Sequence, residues 1–136
     1  MDIYARNILD HYQRPRHQGV IVDADAVFGK LNRSCGDEIK VYVKTKNGLL
    51  EAVSFETRGC AISTASISIL SDELLEKTVG EIMQMDLADI QPYLGIEISP
   101  RRQRCALLGL RAIQGALAKL TEKTEKTSKE EMSQPV

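Results

Sequence analysis

Between Ile39 and Thr57 the chain alternates apolar and polar residues and then doubles back on itself. Ile39, Val41 and Val43 alternate with Lys40, Tyr42 and Lys44, Asn47-Gly48 follows, and LLEAVSFET takes up the return. Period-two alternation broken by Asn-Gly is the strongest short-range hairpin signal, because both turn residues tolerate the left-handed backbone a two-residue turn requires. Two strands alone are marginal in water, so the hairpin needs a third strand and a cover. The third strand is expected from Ala26 to Leu31, and the cover from helical segments on either side.

Those segments have their own punctuation. Asp2 is placed to cap a short helix that presents Tyr4, Ile8 and Tyr12 on one face, with Pro15 and Gly19 ending it. Beyond Gly59-Cys60 the period becomes helical, with Ala61, Ala65 and Ile69 along one face and Ile62 beside them. Thr78 and Glu81 have capping-box spacing, Asp86 to Ile90 suggests a further turn, and Ser99-Pro100 reads as a cap with proline at the first helical position. The last helix is expected to run to about Leu120, burying Ala106, Leu110, Ile113, Leu117 and Leu120. The sum is an α+β fold: a small three-stranded antiparallel sheet packed against several helices. After Leu120 the composition turns to TEKTEKTSKEEMSQPV, so residues 1–120 are expected to form the domain and 121–136 a disordered charged tail. A chain of 136 residues is long enough for one core without disulfide staples.

Charge and composition exclude several functions. Lys and Arg number 18 against 19 Asp and Glu, for a net charge of -1, so no global field draws the chain to nucleic acid or anionic lipid. Zero Trp and two Phe leave little for base stacking. No apolar run approaches the ~20 residues needed to cross a bilayer, and MDIYARNILD lacks the apolar core of a signal peptide. Nucleic acid and membrane are therefore not expected partners, and a cytoplasmic location is expected. Three cysteines without an export signal bring thiol or metal chemistry forward and make a structural disulfide set unattractive.

Each cysteine stands at a different junction. Cys35 lies in the loop before the hairpin, with Asp37 two residues on and Gly36 between them to let the backbone curl. Cys60 follows Gly59 where strand gives way to helix, so the helix N-terminus is expected to favour its thiolate. Cys105 sits in the opening turns of the last helix among Arg101, Arg102 and Arg104. Three thiolates and one carboxylate would make the four ligands zinc prefers, and the arginines would offset so anionic a site. Separations of 25 and 45 residues match no short zinc-finger pattern, however, and a free cysteine is as readily a small buried hydrophobe.

The segments ILDHYQRPRHQG, NRSCGDEI, TRGCAISTAS and PRRQRCALLGLRAIQGALAK together resemble the NifU N-terminal, or IscU/SufU, family of iron-sulfur cluster assembly proteins. The resemblance covers nearly the whole ordered chain and agrees with the α+β pattern, a SufE/NifU-like fold. It implies that Cys35, Asp37, Cys60 and Cys105 are the metal ligands. IscU proteins carry histidine before the last cysteine, where this chain has Arg104; SPRRQRCALL, preceded by DLADIQ, is closer to the SufU type, which binds zinc. SufU proteins usually carry an insertion between the second and third cysteines, whereas 44 residues separate Cys60 from Cys105 here, as in IscU.

On this resemblance the chain would accept persulfide sulfur from a SufS- or IscS-like cysteine desulfurase and pass it to a downstream cluster scaffold or apo-protein acceptor. Cys35 is the expected acceptor, since its glycine-flanked loop moves more cheaply than a helix. Arg102 and Arg104 would steady the anionic site. Two alternatives use the same residues: a scaffold holding a transient [2Fe-2S] cluster, and an interaction module stapled by zinc. His11 is read as packing or capping and His17 as exposed loop, in a stretch the resemblance makes a candidate desulfurase surface. Ser63, Ser66 and Ser68 are read as small residues for close helix packing, without a catalytic role.

Overall fold

The computed structural model describes residues 3–33, 36–95 and 97–133, with the backbone alone for 3–5 and 121–133. Strands β1 (Ala26–Asn32), β2 (Asp37–Lys46) and β3 (Leu49–Arg58) form one antiparallel sheet in the order β1-β2-β3. The β2–β3 turn is made by Asn47 at φ 55° and Gly48 at φ 77°, the two left-handed residues that its sequence calls for. Ile39, Val41 and Val43 of β2 face inward with Val53 and Phe55 of β3, all nearly inaccessible to solvent.

Helix α1 spans Ile3–Gln13; the expected cap Asp2 and the side chain of Tyr4 lie outside the described residues. Its buried face departs from expectation. Ile8 is buried, but Tyr12 is 43% exposed and His11 takes the inward position. The reason is a partner on the neighbouring helix: His11 Nδ1 lies 2.7 Å from Ser68 Oγ, which also accepts the Arg16 N–H at 2.8 Å. The chain then runs along the free edge of β3. Gly19 N–H donates to the Phe55 carbonyl and Phe55 N–H to the His17 carbonyl, which closes that edge to strand addition at this point.

Helix α2 (Ala61–Glu73) was expected to bury one face, yet it is buried nearly all round from Ser63 to Ser71, while Ala61 is exposed. It packs against both α1 and the last helix, so two faces are covered. Its serines are tolerated inside because each hydroxyl is satisfied: Ser66 donates to the Ala106 carbonyl at 2.6 Å and Ser71 to the Ser68 carbonyl at 2.7 Å. Helix α3 (Val79–Met83) is capped by Thr78, and α4 (Leu87–Leu94) by a reciprocal box between Asp86 and Asp89. Ser99-Pro100 opens a single 3₁₀ turn, Pro100–Arg102, that leads into α5 (Gln103–Ser133).

The stripe Ala106, Leu110, Ile113 and Leu117 of α5 is fully buried, with Leu120 packed at its end. The helix itself does not stop near Leu120 as expected but continues to Ser133, through Glu- and Lys-rich sequence that forms helix readily. Gly109 lets α5 approach α2 closely; a Cβ there would stand 2.9 Å from Ile67 Cβ. Among the described residues, no helix is long and apolar enough to cross a membrane.

Candidate metal centre

The hairpin register delivers the first two groups. Glu38 pairs with Arg58, so Asp37 at the head of β2 lies beside Gly59, the residue that leaves β3. The approach is tight: a Cβ on Gly59 would meet Asp37 Cγ at 3.0 Å. Cys60 follows as the N-cap of α2, its backbone extended at φ -73° and ψ 170°. An N-cap side chain points back at the first turn, and Ser63 N–H donates to Cys60 Sγ at 3.5 Å.

Asp37 is 4% exposed and held at both oxygens. Cys60 N–H donates to Oδ1 at 3.1 Å and the Ser63 hydroxyl to Oδ2 at 2.5 Å. Cys105 comes from the third direction, buried at the second turn of the 3₁₀–α5 corner. Asp37, Cys60 and Cys105 each offer a ligand atom, all within 4.8 Å of one another. Tetrahedral zinc, with bonds of about 2.0 to 2.3 Å, holds its ligand atoms roughly 3.3 to 3.8 Å apart, so small side-chain rotations close the set around one ion. Neither Cys60 nor Cys105 is tied up in a disulfide, and soft sulfur with one hard oxygen suits zinc or iron.

A hydrogen bond with Cys105 and then the charge of Cys60 raise the pKa of Arg102 further. Arg104 is exposed and lines a neighbouring groove with Lys30, Leu31, Arg33 and Leu107. Cys35 lies outside the described residues; the chain leaves toward it at Arg33 and returns at Gly36, whose φ is 75°. His17 is exposed, as expected, and contacts Asp72 at 2.6 Å.

A cysteine at a strand end, an aspartate beside it and a third ligand from a late helix is a constellation assembled from the whole chain, and it coincides with a family-wide match. The model of the NifU-like N terminal domain matches residues 3–127. The chain belongs to that family. Among its NifU-like relatives, the zinc-dependent sulfurtransferase SufU of Bacillus subtilis is 32% identical over 134 residues, covering 86% of this chain and 90% of its own. The iron-sulfur cluster assembly scaffold protein IscU 1 of Archaeoglobus fulgidus is 31% identical over 127 residues, covering 93% and 82%. The solved SufU of Fervidobacterium islandicum AW-1 superposes with TM-score 0.70 at 27% identity, over 86% of this chain and 96% of that one. A NifU-like N-terminal structure from Brucella abortus, at TM-score 0.75 and 22% identity, shares the fold over 89% of this chain and 96% of its own.

One group at this NifU-like site was missed by sequence reasoning. Ser63 was set aside as a packing residue, yet its hydroxyl is bonded to the candidate ligand Asp37. Its position three residues after an N-cap cysteine was the available signal, since that place faces the cap.

Proposed function

We propose that this chain accepts persulfide sulfur from a cysteine desulfurase at a zinc site formed by Cys35, Asp37, Cys60 and Cys105, and passes it on for iron-sulfur cluster assembly. The observation that carries the reading is the meeting of Asp37, Cys60 and Cys105 within 4.8 Å. The Bacillus relative named as a zinc-dependent sulfurtransferase supports the choice of metal and chemistry. Cys35 is the fourth ligand in this reading; it stands two residues before Asp37, and two residues of chain span at most about 7 Å. Zinc, when bound, keeps thiolate ligands deprotonated and guards them against disulfide formation.

The transfer itself belongs to Cys35. Its thiolate attacks the outer sulfur of a persulfide on the desulfurase; one S–S bond forms on Cys35, the donor's S–S bond breaks, and the donor cysteine leaves as a thiolate. Electrons balance without an added oxidant. Arg102 offsets the charge of the remaining thiolates and the arriving persulfide, Arg104 adds positive charge from the neighbouring groove, and Asp37 stays as the oxygen ligand. All of these groups lie within residues 1–120, and residues 121–136 are assigned no part. Sulfur then moves to a downstream scaffold or apo-protein.

The relative named as a cluster assembly scaffold favours a second reading, in which the same donors hold a transient [2Fe-2S] cluster as cargo. An oxygen ligand such as Asp37 would ease its release. A purely structural zinc is less suited to a chain whose apolar core, from Ile8 to Leu117, is continuous without the site. The test is Cys35→Ser with a desulfurase and radiolabelled cysteine: sulfur acceptance should be abolished, and normal labelling would move the role to another cysteine. Anaerobic reconstitution separates the two readings, since a visible charge-transfer spectrum with acid-labile sulfide identifies the scaffold.

A further inference from the structure

The Ser63 hydroxyl donates to Asp37 Oδ2 at 2.5 Å and joins residues 26 apart in sequence. A buried carboxylate held only by a metal would be free to rotate about its own side-chain bonds once that metal or a neighbouring ligand left. Here Asp37 is 4% exposed and Ser63 1%, so water does not compete for their contact. Cys60 N–H fixes the other oxygen, and Gly59 closes the remaining side of the Asp37 side chain. Three features of one strand-to-helix corner thus converge on a single carboxylate.

We infer that Ser63 is a positioning residue for the metal centre, holding the Asp37 carboxylate in ligating orientation through its hydroxyl. The inference rests on the reading of Asp37 as a ligand. Its chemical consequence is a division of labour. Asp37 is anchored, so exchange of ligands during sulfur transfer falls to a cysteine instead of the carboxylate. Ordered partners of this kind are worth about 10- to 100-fold in metal affinity when removed.

Ser63 also has bland duties that the test must separate, because its hydroxyl lies 3.5 Å from Cys60 Sγ and it sits in the first turn of α2. Zinc affinity of the metal-free full chain, measured by competition with a chelating dye, is compared for the parent, Ser63→Ala, Asp37→Ala and the double variant. Ser63→Ala should weaken zinc about 10- to 100-fold when Asp37 is present and less than about twofold when Asp37 is already alanine. An equal loss in both backgrounds would assign Ser63 to Cys60 or to the helix, and no loss with Asp37 present would remove its role; either overturns the inference. If Asp37→Ala leaves zinc affinity unchanged, it is the ligand assignment that fails. Ser63→Thr retains the hydroxyl and serves if the alanine chain does not refold; affinity within about threefold of the parent is expected, and a loss as large as that expected for alanine overturns the inference.

Discussion

Replacing Gly59 with alanine probes the corner on which the site is built. The backbone at Gly59 is not in the left-handed region, so alanine is conformationally acceptable there and would on its own stabilise the fold by about 0.4 to 1 kcal/mol. The contact decides otherwise. The new Cβ would stand 3.0 Å from Asp37 Cγ, 3.1 Å from Oδ1 and 3.2 Å from Cβ, against ordinary contacts of 3.4 to 4 Å. Asp37 must therefore retreat by a few tenths of an ångström, but it is buried and tied at both oxygens. Overpacking of this kind costs about 1 to 3 kcal/mol, which at mid-range leaves a net destabilisation of about 1.3 kcal/mol. With a urea dependence of about 2 kcal/mol per molar, the unfolding midpoint of the metal-free protein should fall by roughly 0.6 M. Zinc affinity should fall at the same time by about tenfold or more, since the displaced group is a proposed ligand. In an Asp37→Ala background most of the cost should vanish, because the crowded carboxyl is gone. A midpoint that stays level or rises in the parent background would refute the reasoning.

Two further predictions concern the frame. Burial and then the charge of Arg16 lower the pKa of His11, against the opposing influence of Asp72, Asp10 and Glu73. The unfolded chain then takes up the proton first, so stability due to this group is complete above about pH 6.5 and declines as pH falls below it. His11→Asn, which keeps an atom near the Ser68 hydroxyl, should flatten that part of the decline; equal slopes between about pH 7.5 and 5.5 in urea titrations would contradict the assignment. Gly109→Ala should separate α2 from α5 and lower stability by about 1 kcal/mol, after allowing about 1 kcal/mol for the better helix former. An unchanged thermal midpoint would show that Ile67 gives way freely.

The hairpin and its turn were legible because alternation and Asn47-Gly48 are local signals that tertiary packing only reinforces. The candidate ligands Asp37, Cys60 and Cys105 were legible by another route. Each marks a boundary between elements, and motifs around each carry the family resemblance. What escaped depends on contacts between distant stretches. His11 displaces Tyr12 from the buried face of α1 because Ser68, 57 residues away, offers it a partner. A serine-rich α2 reads as one-sided from its period, yet hydroxyls satisfied by other elements let it be buried nearly all round. Ser63 looked inert for the same reason, since only the β2–β3 register brings Asp37 beneath it. The helical course of α5 beyond Leu120 was read as tail because the apolar stripe ends there, whereas backbone helicity needs no stripe.

The central claim is that three sulfurs and one carboxylate oxygen of this chain surround a single ion. X-ray absorption at the zinc edge of the zinc-loaded protein measures that shell directly. The account predicts three sulfurs at about 2.3 Å and one oxygen at about 2.0 to 2.2 Å, with one sulfur lost in Cys35→Ser. A shell of nitrogen and oxygen alone, or one unaltered when Cys60 or Cys105 is replaced by serine, would contradict it.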